Sequence, residues 1–197
     1  MEFTNDVILQ GGIVHIFATD KIAIVTLSVG GTKKVNYPKV LFFGDNIKEV
    51  TENYKVGSKV CVRGNIQSSR YDPSIKNQKT VSIFGESIEP ANSVIQKTFG
   101  VKGDSAYRPQ ENSFKLAGKV VRIEALQDMI KMVVMTRKNN RVSFIPVAFY
   151  TKRPEKMLEK IHVDDQVFAV GTTQTSKKKF GDEVRYYEDY VATDIAT

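Results

Sequence analysis

An all-β chain with one short helix per domain, folded as two tandem five-stranded Greek-key barrels, is what this sequence predicts on three observations. The chain repeats itself without a gap. Each copy is dominated by short segments rich in β-branched and aromatic residues. In each copy a single helical segment falls between the third and fourth of them.

The repeat sets the domain plan. LQGGIV at 9–14 matches LAGKVV at 116–121. The stretch VLFFGDNIKEVTENYKVGSKVCVRGNIQSS from Val40 matches VAFYTKRPEKMLEKIHVDDQVFAVGTTQTS from Val147. The offset stays at 107 residues, pairing Gly11 with Gly118, Phe42 with Phe149, Glu52 with Glu159, Gly64 with Gly171 and Gln67 with Gln174. Register kept through strand, helix and strand defines two domains, 1–90 and 113–197. The stretch 91–112 between them is polar, is broken by glycines and a proline, and reads as a linker.

Taken in order, VILQGGIVHIF, KIAIVTLSV and VNYPKVLFF read as the first three strands of the first copy. Asp45 is placed to cap a helix in which Ile47, Val50 and Tyr54 recur at spacings of three and four. KVCVRGNIQ and KTVSIFGESI follow as strands four and five. In the second copy the helix is RPEKMLEKI, with Met157, Leu158 and Ile161 on one side. Pro154 falls in its first turn, where a missing N–H leaves no bond unmade. Three strands, a helix and two strands is the order of the OB-fold.

Composition narrows the function classes. With 41% hydrophobic and 26% charged residues the chain has the balance of a soluble globular protein. No apolar run reaches the roughly 18 residues of a membrane span. The opening MEFTNDVILQGG is not built like a signal peptide, so a cytoplasmic protein is expected. The single cysteine, Cys61, excludes an internal disulfide. A net charge of +7 and a pI near 9.3 favour a polyanionic partner. No basic amphipathic helix offers itself to a membrane surface.

Period-two alternation then sorts the side chains of the third strands. Val40 and Phe42 point inward, and Tyr37, Lys39 and Phe43 share the outer face. In the second copy Val147 and Phe149 point inward, and Phe144 and Tyr150 outward. Aromatic rings on an open sheet can stack on unpaired bases, and neighbouring Lys and Arg neutralise phosphates. The first copy offers Tyr37, Lys39, Phe43, Arg70 and Tyr71, with Lys33 and Lys34 in the preceding loop. The second offers Phe144, Tyr150 and Phe180, with Arg137, Lys138 and Arg141 at one hairpin and Lys177, Lys178 and Lys179 at another.

These segments resemble the bacterial-type single-stranded-DNA-binding proteins. VILQGGIV is similar to that family's opening strand. YPKVLFFGDNIKEVTENYKVGSKVCVRGNIQSSRY is similar to its third strand, helix and fourth strand. The resemblance implies base stacking by Tyr37, Phe43 and Tyr71. In the second copy it carries over to Phe144 and Tyr150. Lys178 occupies the place of the third aromatic there, with Phe180 close by. The family's tryptophans and acidic, hydrophobic tip have no counterpart, so recruitment of partners through such a tip is not expected. Tandem members of the family reach four OB-folds as dimers, which implies a homodimer here. Phe168 and Val170, outward on strand four where the first copy has Cys61 and Arg63, point the same way. The diverged copies suggest a phage or plasmid origin.

The expected function is therefore non-enzymatic coating and protection of single-stranded DNA in replication, recombination or repair, with little sequence preference. The same barrels would also suit an RNA-binding module, or a protein-protein adaptor in a replisome. No cofactor or metal is expected. His15 and His162 fall in non-equivalent places, and His162 with Asp164 and Asp165 reads as a solvated turn. Cys61 lies mid-strand without a partner base, and neither GVKG nor VGGTKK forms a phosphate-binding loop.

Overall fold

The structure is a computed structural model, and it describes residues 3–30, 35–69, 81–91, 97–99, 105–107, 111–181 and 183–197. The first barrel is built from β1 (Thr4–Ala18), β2 (Ala23–Gly30), β3 (Val35–Asn36), β4 (Lys39–Phe42), α1 (Asp45–Asn53), β5 (Lys59–Ser68) and β6 (Val81–Pro90). A small hairpin, β7 (Lys97–Phe99) with β8 (Ser105–Tyr107), lies between the barrels in sequence. The second barrel has β9 (Asn112–Leu126), β10 (Met129–Lys138), β11 (Arg141–Tyr150), α2 (Pro154–Leu158), β12 (Gln166–Phe180) and β13 (Glu183–Ala196).

Both barrels close in the same way. β1 pairs with β2 and β5, β2 with β4, and β6 with β5; β4 and β6 run parallel, Val40 opposite Ile83. β9, β10, β11, β13 and β12 repeat that circuit, again with a parallel third and fifth strand, Val147 opposite Tyr190. This is the five-stranded OB topology. Inside, Leu9, Val25, Val40, Phe42, Val60 and Ile83 are fully buried in the first barrel, and Phe114, Leu116, Ile130, Met132, Ile145 and Val167 in the second. Each such side chain contributes about 1.5–3 kcal/mol by leaving water.

The repeated glycines mark where a small barrel must bend. A Cβ on Gly64 would lie 2.1 Å from the Phe84 carbonyl oxygen, and one on Gly171 would lie 2.1 Å from that of Val191. Both sit at a shift of register between strands four and five. Any side chain would hold the strands apart at the bulge.

The two barrels share one continuous sheet. β1 and β9 pair antiparallel from Thr4 opposite Ala117 to Leu9 opposite Asn112. Val7 faces Phe114, its own equivalent under the repeat, so a local twofold axis passes between them. Asn5 and Asn112, also equivalents, clamp the fourth strands on either side of that axis. Asn5 accepts from the Ile66 N–H and donates to the Ile66 carbonyl, and Asn112 does the same with Thr173, at 2.6–3.0 Å.

Four details differ from the sequence expectation. Strand three is split at Tyr37 and Pro38, because proline has no N–H to give the ladder. Asp45 does not cap α1: it is the first helical residue, and Gly44 at φ 60° takes the cap position without a side-chain bond. The stretch 91–112 holds the β7–β8 hairpin rather than linker alone, its strands drawn from KTF and SAY. The first strand begins at Thr4, three residues before VILQ, because those residues are needed for the pairing between barrels.

Candidate nucleic-acid interface

The outward rows of the third strands are where alternation puts them. Tyr37, Phe43, Phe144 and Tyr150 expose 48%, 43%, 48% and 57% of their surfaces, while Val40, Phe42, Ile145 and Val147 between them are buried. Phe149, expected inward, is half-buried against the core. Lys39 is exposed between the two rings of the first row. In the second row the corresponding place is Pro146, which carries no charge.

One end of the first row meets the β10–β11 hairpin. Phe43 stacks on Phe84 of β6, with ring centroids 5.3 Å apart and planes at 17°. The Arg141 guanidinium of the second barrel lies 5.6 Å from the Phe84 centroid and donates to the Ser68 carbonyl at 3.2 Å. The hairpin can bring it there because Asn139 and Asn140 both adopt positive φ, 49° and 62°, a turn geometry that asparagine tolerates. Arg137, exposed, bonds to Asn140.

Lys138 turns the other way, into the boundary between barrels. Its Nζ lies 2.8 Å from Asp6 Oδ1 and 3.0 Å from Glu86 Oε1, and donates to the Asn5 carbonyl at 3.3 Å. Partial burial works to lower its pKa. The hydrogen bonds and charges of Asp6 and Glu86 more than offset this and hold the ammonium above the ordinary lysine range.

The other end of the first row meets β12–β13. The Tyr37 N–H donates to Thr175 Oγ1 at 2.9 Å, the Thr175 N–H to Asn36 Oδ1 at 2.9 Å, and the Lys39 N–H to Glu188 Oε2 at 3.3 Å. The tie at Tyr37 has a twofold mate: the Phe144 N–H donates to Ser68 Oγ at 2.9 Å. Phe144 and Ser68 are the repeat equivalents of Tyr37 and Thr175, so both rows start from the same bond between barrels.

Here β13 adds two rings that the sequence reading did not single out. Tyr186 and Tyr187 are 69% and 37% exposed, with the Lys177 ammonium 6.0 Å from the first ring and that of Lys178 5.3 Å from the second. Between them and the front of the first barrel lies a cleft of about 570 Å³, lined by His15, Thr26, Tyr37, Lys39, Thr175, Tyr186, Tyr187 and Glu188. Phe84 is the third such ring. Its signal was present, since Phe84 follows the buried Ile83 on a strand and so faces the other way.

Of the remaining predicted residues, Lys177, Lys178 and Lys179 are exposed along β12. Lys33, Lys34, Arg70 and Tyr71 lie outside the described residues, as does the side chain of Phe180. Phe168 and Val170 are half-buried on β12. Asp164 pairs with Lys119 at 2.8 Å and Asp165 accepts from the His162 N–H, so that turn is tied by its own chain. Burial pushes the Cys61 thiol up, the Arg63 charge opposing it and Glu89 and Glu111 adding to it.

No protein-family model matches the sequence, and no curated protein matches it. Solved structures do match the fold. The single-stranded DNA binding protein from Thermus aquaticus superposes with a TM-score of 0.65 at 16% identity, over 100% of this chain and 93% of that one. A deletion mutant of the same protein gives 0.67 at 15% identity, over 99% and 94%. The likeness spans both barrels.

Proposed function

We propose that this chain binds single-stranded DNA without catalysing a reaction, coating and protecting it with little sequence preference during replication, recombination or repair. One observation carries the reading: each barrel holds a row of exposed rings along its third strand, with Lys39 between the two rings of the first row and Arg141 at one end of it. Tyr37, Phe43, Phe144 and Tyr150 supply stacking faces, which every base can use. Lys39, Arg141 and Lys177–Lys179 supply phosphate contacts that release counterions. The full-length likeness to a protein named for single-stranded DNA binding supports the same reading. Lys138, committed to Asp6 and Glu86, serves the barrel boundary instead. Phe168 and Val170 leave an apolar pair on the outer face of β12, and this suits a homodimer of four OB-folds.

The test is titration with dT oligomers, rU oligomers and duplex of equal length. Tight dT binding that weakens steeply with salt, and much weaker duplex binding, is expected. Tyr37→Ala with Phe43→Ala should cost about 2–4 kcal/mol in dT affinity, since two stacking faces are lost at about 1–3 kcal/mol each. Equal affinity for duplex, or an unchanged Kd in the folded double variant, would refute the proposal. Preference for rU over dT would make the chain an RNA-binding module.

A further inference from the structure

We propose that the cleft between β12–β13 and the first barrel is a nucleobase subsite through which one single strand passes from barrel to barrel, with Tyr186 and Tyr187 as its stacking residues. The inference rests on the reading above and names a part of the path that neither barrel has by itself. His15, Thr26 and Lys39 lie side by side across β1, β2 and β4, His15 opposite Thr26 and Thr26 opposite Lys39. They form the floor on the first barrel's front face, with Tyr37 at its edge. The β12–β13 hairpin of the other barrel is the wall.

Size and charge say what fits. About 570 Å³ is room for one or two bases, not for a duplex groove contact or an extended protein surface. The wall carries a carboxylate, Glu188, which accepts from the Tyr190 hydroxyl and the Lys39 N–H. Lys177 and Lys178 stand over the two tyrosine rings, and Lys39 is a cation of the floor itself. Tyrosine rings lining the cleft, with the Lys177 and Lys178 ammonium groups over them, match a strand that stacks its bases inside and sets its phosphates against those lysines.

The cleft also makes the two ends of the barrel boundary unequal. The row equivalent to His15, Thr26 and Lys39 in the second barrel is Arg122, Val133 and Pro146, in the same register. Arg122 is spent on Glu124 at 3.1 Å. The polar floor is therefore particular to the Tyr37 side.

The experiment uses the full chain and fluorescence anisotropy with labelled dT oligomers of increasing length. Tyr186→Ala with Tyr187→Ala should weaken binding by roughly 10- to 100-fold for oligomers long enough to reach both barrels, and Tyr186→Phe with Tyr187→Phe should restore it. Both rings are solvent-exposed, so the fold should survive, and a thermal melt checks it. Photo-cross-linking with a 5-iodo-dU oligomer should also tag the β13 peptide. Unchanged affinity of the alanine variant and no cross-link on β13, with the parent chain binding dT normally, overturns the subsite alone. A parent chain that binds no dT overturns the proposed function with it.

Discussion

Replacing Lys138 by methionine isolates the tie that holds the β10–β11 hairpin against the first barrel. The ammonium lies 2.8 Å from Asp6 and 3.0 Å from Glu86, and the Lys138 side chain is 25% exposed, against 53% and 40% for its partners. Fully exposed pairs contribute about 0.2–1 kcal/mol. Breaking a buried pair costs about 3–5 kcal/mol, because a charge is left uncompensated. Half-exposed carboxylates keep part of their hydration, so the loss should be about 1.5–2 kcal/mol. For a chain of this size that is a fall in Tm of roughly 3–8 °C. The folded pKa of Lys138 lies above its unfolded value. Its contribution is therefore complete below about pH 10.4 and is lost as pH rises through the folded value. Melts followed by circular dichroism from pH 7 to 11.5 should show a constant gap between parent and variant up to about pH 10, then convergence. At neutral pH the affinity for dT oligomers should stay within about twofold, because the ammonium is already committed to carboxylates. A variant melting within about 1 °C of the parent would refute the structural assignment. So would a gap that persists at the top of the pH range.

Two further perturbations probe the second barrel. Gly171→Ala should cost about 2–4 kcal/mol or prevent folding, because its Cβ would meet the Val191 carbonyl oxygen at 2.1 Å and the Phe114 ring at 2.7 Å; urea unfolding measures it, and a change below about 1 kcal/mol would show that the bulge relaxes freely. Tyr190→Phe removes a hydroxyl that donates to Glu188 at 3.1 Å and should cost about 1 kcal/mol at pH 7. Burial first, and Glu188 next, raise the Tyr190 pKa well above its ordinary value, so the hydroxyl's stabilising effect is present below pH 10 and is lost above it as the unfolded tyrosine ionises; the phenylalanine variant should overtake the parent in alkaline melts, and parallel curves would contradict this.

How far the sequence could be read follows from which forces are local. Period-two alternation set which way Tyr37, Phe43, Phe144 and Tyr150 point, since successive side chains on extended backbone face opposite sides. The repeat located the bulge glycines before their reason was visible. What alternation could not supply is contact between barrels. Lys138 reads as one more surface cation beside Arg137 and Arg141, and only the β1–β9 pairing brings Asp6 and Glu86 to it. Tyr186 and Tyr187 read as part of a tyrosine-rich terminal strand, and they become a site only where β12–β13 crosses the first barrel. One clue was available. Asn5 and Asn112 are repeat equivalents, and asparagine is depleted in strand interiors. Two in the same place imply a specific hydrogen-bonding duty, and here each clamps a fourth strand at the shared edge.

Joining the two barrels in one chain has a physical consequence that a dimer of identical barrels does not share. Around an exact twofold, any residue that opens one end of the boundary opens the other, and any tie is made twice. Here the shared bonds remain doubled: Tyr37 to Thr175 repeats as Phe144 to Ser68, and Asn5 repeats as Asn112. The rest of the boundary has diverged. Arg141 covers Phe84 and Lys138 bridges two carboxylates on one side, while a cleft of about 570 Å³ walled by tyrosines remains on the other. The symmetric bonds fix the angle between barrels, and that rigidity is what leaves the asymmetric residues free to differ. The proposed strand path would meet stacking surface at one end of such a boundary and an ion-paired lysine at the other, and so would favour the tyrosine side.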